Sequence, residues 1–293
     1  MKKLIFRGAA TALVTPMNED RSINFAKIKE ISENQILSGI NALVVNGTTG
    51  EASTLSTDEQ ALTIKAVCEQ TAGRVPVIAG AGSNDTMRAL YLAQQAEAMG
   101  ADALLIVTPY YNKTSQSGLI EHYNYIAERV SLPIIVYNVP SRTGVNIKPE
   151  TYKELSRHKN IVACKEASGD VSSLARSMDL CGDDMYFYSG NDDQIVPFLS
   201  LGGVGVISVL SNILPKKVCE ICNACFQGDY KNASREQIEH MGLIDALFCD
   251  VNPIPVKAAM NMLGHEVGPT RLPLSSMDAN KRGKLLLELK RFI

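Results

Sequence analysis

Eight short apolar runs, each followed by a segment of helical period, occupy the chain from Ala9 to Val209 and constrain it most. The runs are Ala9–Val14, Ala42–Asn46, Pro76–Ala81, Ala103–Thr108, Pro133–Asn138, Ile161–Glu166, Met185–Ser189 and Val204–Val209. Most are rich in Val, Ile or Leu without polar alternation. Strands of a parallel sheet covered on both faces read this way. Eight β-then-α units favour a closed (β/α)8 TIM barrel, an α/β fold, over an open doubly wound sheet, which is the alternative.

The segments between the runs carry helix signals. Ser56-Thr57-Asp58-Glu59 reads as a capping box, Asn84 as the cap of the helix that runs to Met99, and Gly39 and Gly100 as residues just past helix C-caps. After Ser211 the strand pattern stops. Four helices are expected, at Pro215–Phe226, Tyr230–Phe248, Pro253–Leu263 and Asp278–Phe292. The first completes the barrel, which spans residues 1–226. The rest form a C-terminal helical extension, 227–293.

Composition excludes several classes. The net charge is −2, which gives nucleic acid or an anionic membrane no electrostatic attraction. Arg7 interrupts the apolar run of MKKLIFRG before it reaches signal-peptide length, and no uncharged apolar run approaches the roughly 20 residues that span a bilayer. Seven scattered cysteines, an odd number, fit a reducing cytoplasm.

In a barrel of this kind the chemistry sits at the C-terminal strand ends. Those ends carry small polar residues, three tyrosines, one lysine and one arginine. Lys165 ends the strand Ile161–Glu166. In a regular strand Ile161, Ala163 and Lys165 share a face, so an inward Ile161 means an inward amine. A buried lysine is paired, neutral or reacting, and a neutral amine is a nucleophile. The ordinary alternative is a lysine that snorkels to solvent. Tyr137 ends the preceding strand at a comparable position, where a phenol can relay protons to an amine. Its alternative is a packed tyrosine with a hydrogen-bonded tip. Gly47-Thr48-Thr49-Gly50 follows the second strand and can converge hydroxyls and amides on a carboxylate, or be a plain βα turn. Arg142 suits a bidentate carboxylate contact, or is a solvated loop charge.

Together these segments resemble the dihydrodipicolinate synthase / N-acetylneuraminate lyase family of class I pyruvate aldolases. The likeness spans nearly the whole chain. It rests on Gly47–Glu51 (GTTGE), Pro109–Asn112 (PYYN), Tyr137–Gly144 (YNVPSRTG) and Lys165–Asp170 (KEASGD), all in order. Paired Thr48-Thr49 and Arg142 set the chain apart from the sugar-acid lyases of the family, which remain the alternative activity. The resemblance implies an imine between Lys165 and pyruvate, and no other cofactor or metal. It implies Tyr137, Thr48 and Tyr111 as proton-relay residues, with Tyr111 reaching into a neighbouring subunit. Thr48 and Thr49 would hold the pyruvate carboxylate, Arg142 the carboxylate of aspartate-β-semialdehyde, and Gly190 and Ile207 the pyruvate pocket. The expected assembly is a homotetramer of two dimers in the cytoplasm. A third reading, a silent keto-acid-binding barrel, has no need of the full set Lys165, Tyr137, Thr48 and Tyr111.

The resemblance also bears on regulation. Lysine-inhibited members carry histidine or other polar ligands on the helix after GTTGE and an acid after the GxGxN segment. Here Thr57 and Gln60 stand on that helix and Arg88 replaces the acid, so weak or absent lysine feedback is expected. Cys219, Cys222 and Cys225 lie at helical spacing with no fourth ligand nearby, a poor metal motif. Gly80-Ala81-Gly82 lacks the third glycine of a dinucleotide fingerprint, and the four histidines offer no obvious base.

Overall fold

The computed structural model describes residues 2–292; the first residue of the expected barrel segment and the last of the extension lie outside them. The eight expected strands all form: β1 Gly8–Ala12, β2 Ala42–Val45, β3 Val77–Gly80, β4 Ala103–Val107, β5 Ile134–Asn138, β6 Ile161–Glu166, β7 Tyr186–Ser189 and β8 Gly205–Ser208. They pair in parallel in sequence order, and β8 returns to β1, so the sheet closes into a barrel.

Closure divides the strand side chains between two cores. Inside the barrel lie alanines and branched aliphatic side chains, among them Ala10, Ala42, Val44, Ile78, Leu105, Ile135, Ala163 and Ile207. Outside, Leu43, Val45, Ala79, Leu104, Ile106, Ile134, Val136 and Cys164 pack against the ring of helices. Burial on both sides is why the strands read as continuous apolar runs. The N-terminal end of the barrel is plugged by Phe6 stacked on Tyr188, with ring centroids 4.2 Å apart, and the Tyr188 hydroxyl donates to the Phe6 carbonyl.

One expectation about strand geometry is corrected. The register between β5 and β6 shifts, so that Ile134 faces Ile161 but Ile135 faces Ala163. Val162 is the extra residue of a bulge. Ile161 therefore joins the outer core, whereas Val162 and Ala163 both belong to the inner one. Lys165 shares its face with Ala163, not with Ile161.

Most helix ends follow the expected chemistry. The helix Phe25–Leu37 forms as expected, and Gly39 beyond its cap is left-handed at φ +86°. Ser56 and Glu59 make the reciprocal capping box of Thr57–Thr71. The helix Thr86–Ala98 is capped by Asp85, whose carboxylate accepts from the Arg88 amide, not by Asn84. The expected helix Tyr230–Phe248 is two helices, Tyr230–Glu239 and Met241–Leu247, broken at His240. The extension ends with Ile254–Met262 and Ala279–Leu289.

Candidate active site

The site is assembled at the C-terminal end of the barrel. Strand register pairs Tyr137 on β5 with Lys165 on β6, and Lys165 with Tyr188 on β7. All three point into the barrel, because the bulge sets the alternation of β6 to match that of β5. Lys165 is only 6% exposed, and its Nζ lies 4.4 Å from the centroid of the Tyr137 ring. Among the described residues the amine makes no hydrogen bond and no ion pair. It lies over the face of the phenol ring, a cation–π contact when the amine is charged.

Two features make room for this side chain. A Cβ on Gly190 would stand 2.6 Å from the Ala167 Cβ and 3.1 Å from the Lys165 Cε, so only glycine fits at the end of β7. Ile207 on β8 is fully buried in the inner core, two residues past Gly205, the register partner of Tyr188. The residue beside Lys165 has the opposite task. The Glu166 carboxylate faces outward and accepts from the Asn138 amide, from the Tyr152 hydroxyl at 2.6 Å and from the Ser168 amide. These bonds fix the end of β6, and hence the direction of Lys165.

The loop after β2 is a tight double turn. Gly50 and Glu51 amides donate to the Gly47 and Thr48 carbonyls. Asn46 and Glu51, which bracket it, are both left-handed, at φ +55° and +56°. Gly80 at the end of β3 lets that strand approach: a Cβ there would lie 2.0 Å from the Asn46 carbonyl oxygen. Thr49 is buried and its hydroxyl accepts from Asn252. Thr48 is half-buried and lines a cavity of about 530 Å³ together with Gly47, Tyr110, Tyr111, Tyr137 and Arg142. Four expected site residues, Thr48, Tyr111, Tyr137 and Arg142, thus share one cavity wall, while Lys165, Gly190 and Ile207 sit in the barrel beneath.

The expected relay residues are not hydrogen-bonded to one another among the described residues. Tyr111 is 91% exposed and left-handed at φ +70°, at the rim of this cavity. Arg142 is exposed, on the short helix Pro140–Thr143, and donates to the Asn252 carbonyl at 3.3 Å.

Several residues of the site were missed by sequence reasoning. Asp192, two residues past Gly190, is buried and accepts from the Val209 and Leu210 amides, tying the ends of β7 and β8 together. Burial pushes its carboxyl up, against the pull of the Ser208 hydroxyl, those amides and the charge of Lys165. Lys257 is also buried; its ammonium reaches Glu51 at 2.9 Å, the Thr15 carbonyl and the Pro269 carbonyl. Burial pushes that lysine down and Glu51 opposes it. The Cys219, Cys222 and Cys225 thiols are buried on the helix Pro215–Phe226, in the outer core. Among the described residues no group of three His, Cys, Asp or Glu is placed to hold a metal ion.

A closed (β/α)8 barrel with a buried lysine and a tyrosine at its C-terminal mouth defines an enzyme of the lysine-centred barrel class. The chain belongs to the dihydrodipicolinate synthetase family, whose sequence profile it matches over residues 5–291. It is 52% identical over 274 residues to the 4-hydroxy-tetrahydrodipicolinate synthase of Thermoanaerobacter sp. (strain X514), covering 93% of this chain and 92% of that one. It is 50% identical to 4-hydroxy-tetrahydrodipicolinate synthase 1 of Clostridium acetobutylicum, over 98% of this chain and 97% of the relative. The crystal structure of dihydrodipicolinate synthase from Thermotoga maritima superposes with a TM-score of 0.96 at 42% identity, covering 98% of this chain and 99% of that one.

Proposed function

We propose that the chain catalyses the 4-hydroxy-tetrahydrodipicolinate synthase reaction, joining pyruvate to aspartate-β-semialdehyde on the way to diaminopimelate and lysine. The observation that carries this reading is the Lys165 amine, buried, unpaired among the described residues and set against the face of Tyr137. The names of its relatives support the substrate pair.

The steps follow from the residues. The neutral Lys165 amine adds to the keto carbon of pyruvate, and the carbinolamine loses water to give an imine. Tyr137 relays the protons that these steps move, with Thr48 and Tyr111 continuing the relay. Thr48 and Thr49 hold the pyruvate carboxylate. Gly190 and Ile207 shape the space around its methyl group. Loss of a methyl proton gives the enamine, whose carbon attacks the aldehyde of the second substrate, forming the new C–C bond. Arg142 holds that substrate's carboxylate. The substrate's own amine then displaces Lys165 from the imine carbon, which closes the ring and frees the enzyme. The covalent imine on Lys165 is all the reaction needs in place of a cofactor.

Tyr111 borders the cavity of its own barrel but leaves most of its side chain to solvent. An outward tyrosine with left-handed backbone fits a role in the neighbour's site, and so a dimer at least, with two dimers making a homotetramer. We place the enzyme in the cytoplasm. Seven free thiols suit a reducing compartment, and no helix among the described residues is long and apolar enough to cross a membrane.

The exposed Arg142 and the paired Thr48-Thr49 favour this reaction over a sugar-acid cleavage. Turnover with pyruvate and aspartate-β-semialdehyde, coupled to the reductase that consumes the product, tests it. Activity there and none with N-acetylneuraminate is the expected outcome. The reverse pattern would assign the chain to the lyase branch.

A further inference from the structure

The C-terminal extension reaches the two groups assigned to substrate carboxylates through Asn252. Asn252 lies between the helices Met241–Leu247 and Ile254–Met262 and is 6% exposed. Its side-chain Nδ2 donates to the Thr49 hydroxyl at 3.0 Å, across 203 residues of sequence. Its main-chain carbonyl accepts from the Arg142 guanidinium at 3.3 Å. One residue therefore touches both of the groups assigned to the two substrate carboxylates. Its Oδ1 is buried with no hydrogen-bond partner among the described residues. A buried amide left half satisfied is costly, and a residue needed only for packing would be better replaced by an apolar one.

A second tie runs to the same loop. Lys257, on the helix that begins just after Asn252, pairs with Glu51 at the end of the Gly47–Glu51 turn. Arg271, further along the extension, donates its amide to the other Glu51 oxygen and clasps Glu59 with its guanidinium. The segment carrying Asn252 is thus fixed to the loop carrying Thr49 independently of Asn252 itself.

Given the substrate pair proposed above, on which this rests, we infer that Asn252 is a positioning residue that sets the Thr49 hydroxyl and the Arg142 guanidinium at a fixed separation. The extension then braces the substrate site from behind its lining. Binding of the two carboxylates is coupled through one residue, its side chain on Thr49 and its main-chain carbonyl on Arg142.

The test is Asn252→Ala, with Asn252→Leu as a second variant that fills the same space without polar atoms. Steady-state constants for both substrates are measured, with competent sites counted by borohydride capture of pyruvate. Loss of the Thr49 bond raises KM for pyruvate roughly threefold, whereas the main-chain carbonyl that holds Arg142 survives both substitutions, so KM for the aldehyde changes less. The turnover per competent site changes less. In a Thr49→Val background the effect of Asn252→Ala on the pyruvate KM largely disappears, because the two groups act as a pair. A lesion of stability alone lowers the count of competent sites and leaves both KM values unchanged. That result in either variant overturns the inference while the reaction stands. A wild-type enzyme that captures no pyruvate overturns both.

Discussion

The Lys165 amine lies 4.4 Å from the centre of the Tyr137 ring, and the two residues face each other across β5 and β6. This fixes which groups are close: the amine meets the face of the ring. Tyr137 also lines the cavity where the substrate would bind. Tyr137→Phe keeps the ring and removes the relay, so kcat falls roughly 10²–10⁴-fold. Pyruvate still forms its imine on Lys165, more slowly. Rapid-mixing kinetics with mass detection of the imine separates the two effects. Unchanged kcat would remove Tyr137 from the chemistry.

The pair between Lys257 and Glu51 has side chains 2% and 0% exposed. Removing one member strands the other charge in the interior. Lys257→Met is therefore expected to cost roughly 3–5 kcal/mol of stability. Urea denaturation measures it. A loss below 1 kcal/mol, taken here as about the value of an exposed pair, would show that water reaches the site.

His122 gives a pH dependence. Burial brings its imidazole from 6.5 down to about 4, against the opposing charge of Asp85. Its Nδ1 meets the Thr86 hydroxyl, and its Nε2 is buried without a partner among the described residues. The folded state holds the ring neutral, so the unfolded chain binds the proton first as pH drops. The stability from this group is fully present above 6.5 and is lost as pH falls towards 4. His122→Gln should flatten the fall in Tm across that window. Equal slopes for both proteins in calorimetry would rule out the assignment.

Arg88 lines the same cavity as Gln60 and Tyr110. A guanidinium there repels the two amino groups of free lysine. Initial rates are expected to hold steady as lysine is raised through the millimolar range. Arg88→Glu should make the enzyme more sensitive. Strong inhibition of the wild type at low lysine would contradict this.

The barrel was legible because its physics is repetitive. Each strand is apolar on both faces, and each helix between them begins and ends with local signals. Lys165, Tyr137 and Gly190 were legible because a strand end is a place the sequence marks. The bulge at Val162 was not: Ile161 to Cys164 are all apolar, so nothing in the run shows that the alternation slips. The cap at Asp85 was missed because Asn84 and Asp85 are adjacent and equally able to cap. Asn252 and Lys257 were missed for a different reason. Their partners lie 203 and 206 residues away, and no local pattern records a contact of that span.

Borohydride reduction in the presence of pyruvate, followed by peptide mass mapping, goes straight to the reacting atom. One pyruvate-derived adduct is expected, on Lys165, and none in Lys165→Arg. An adduct on any other lysine, or none at all in an enzyme that still turns over, would contradict the account.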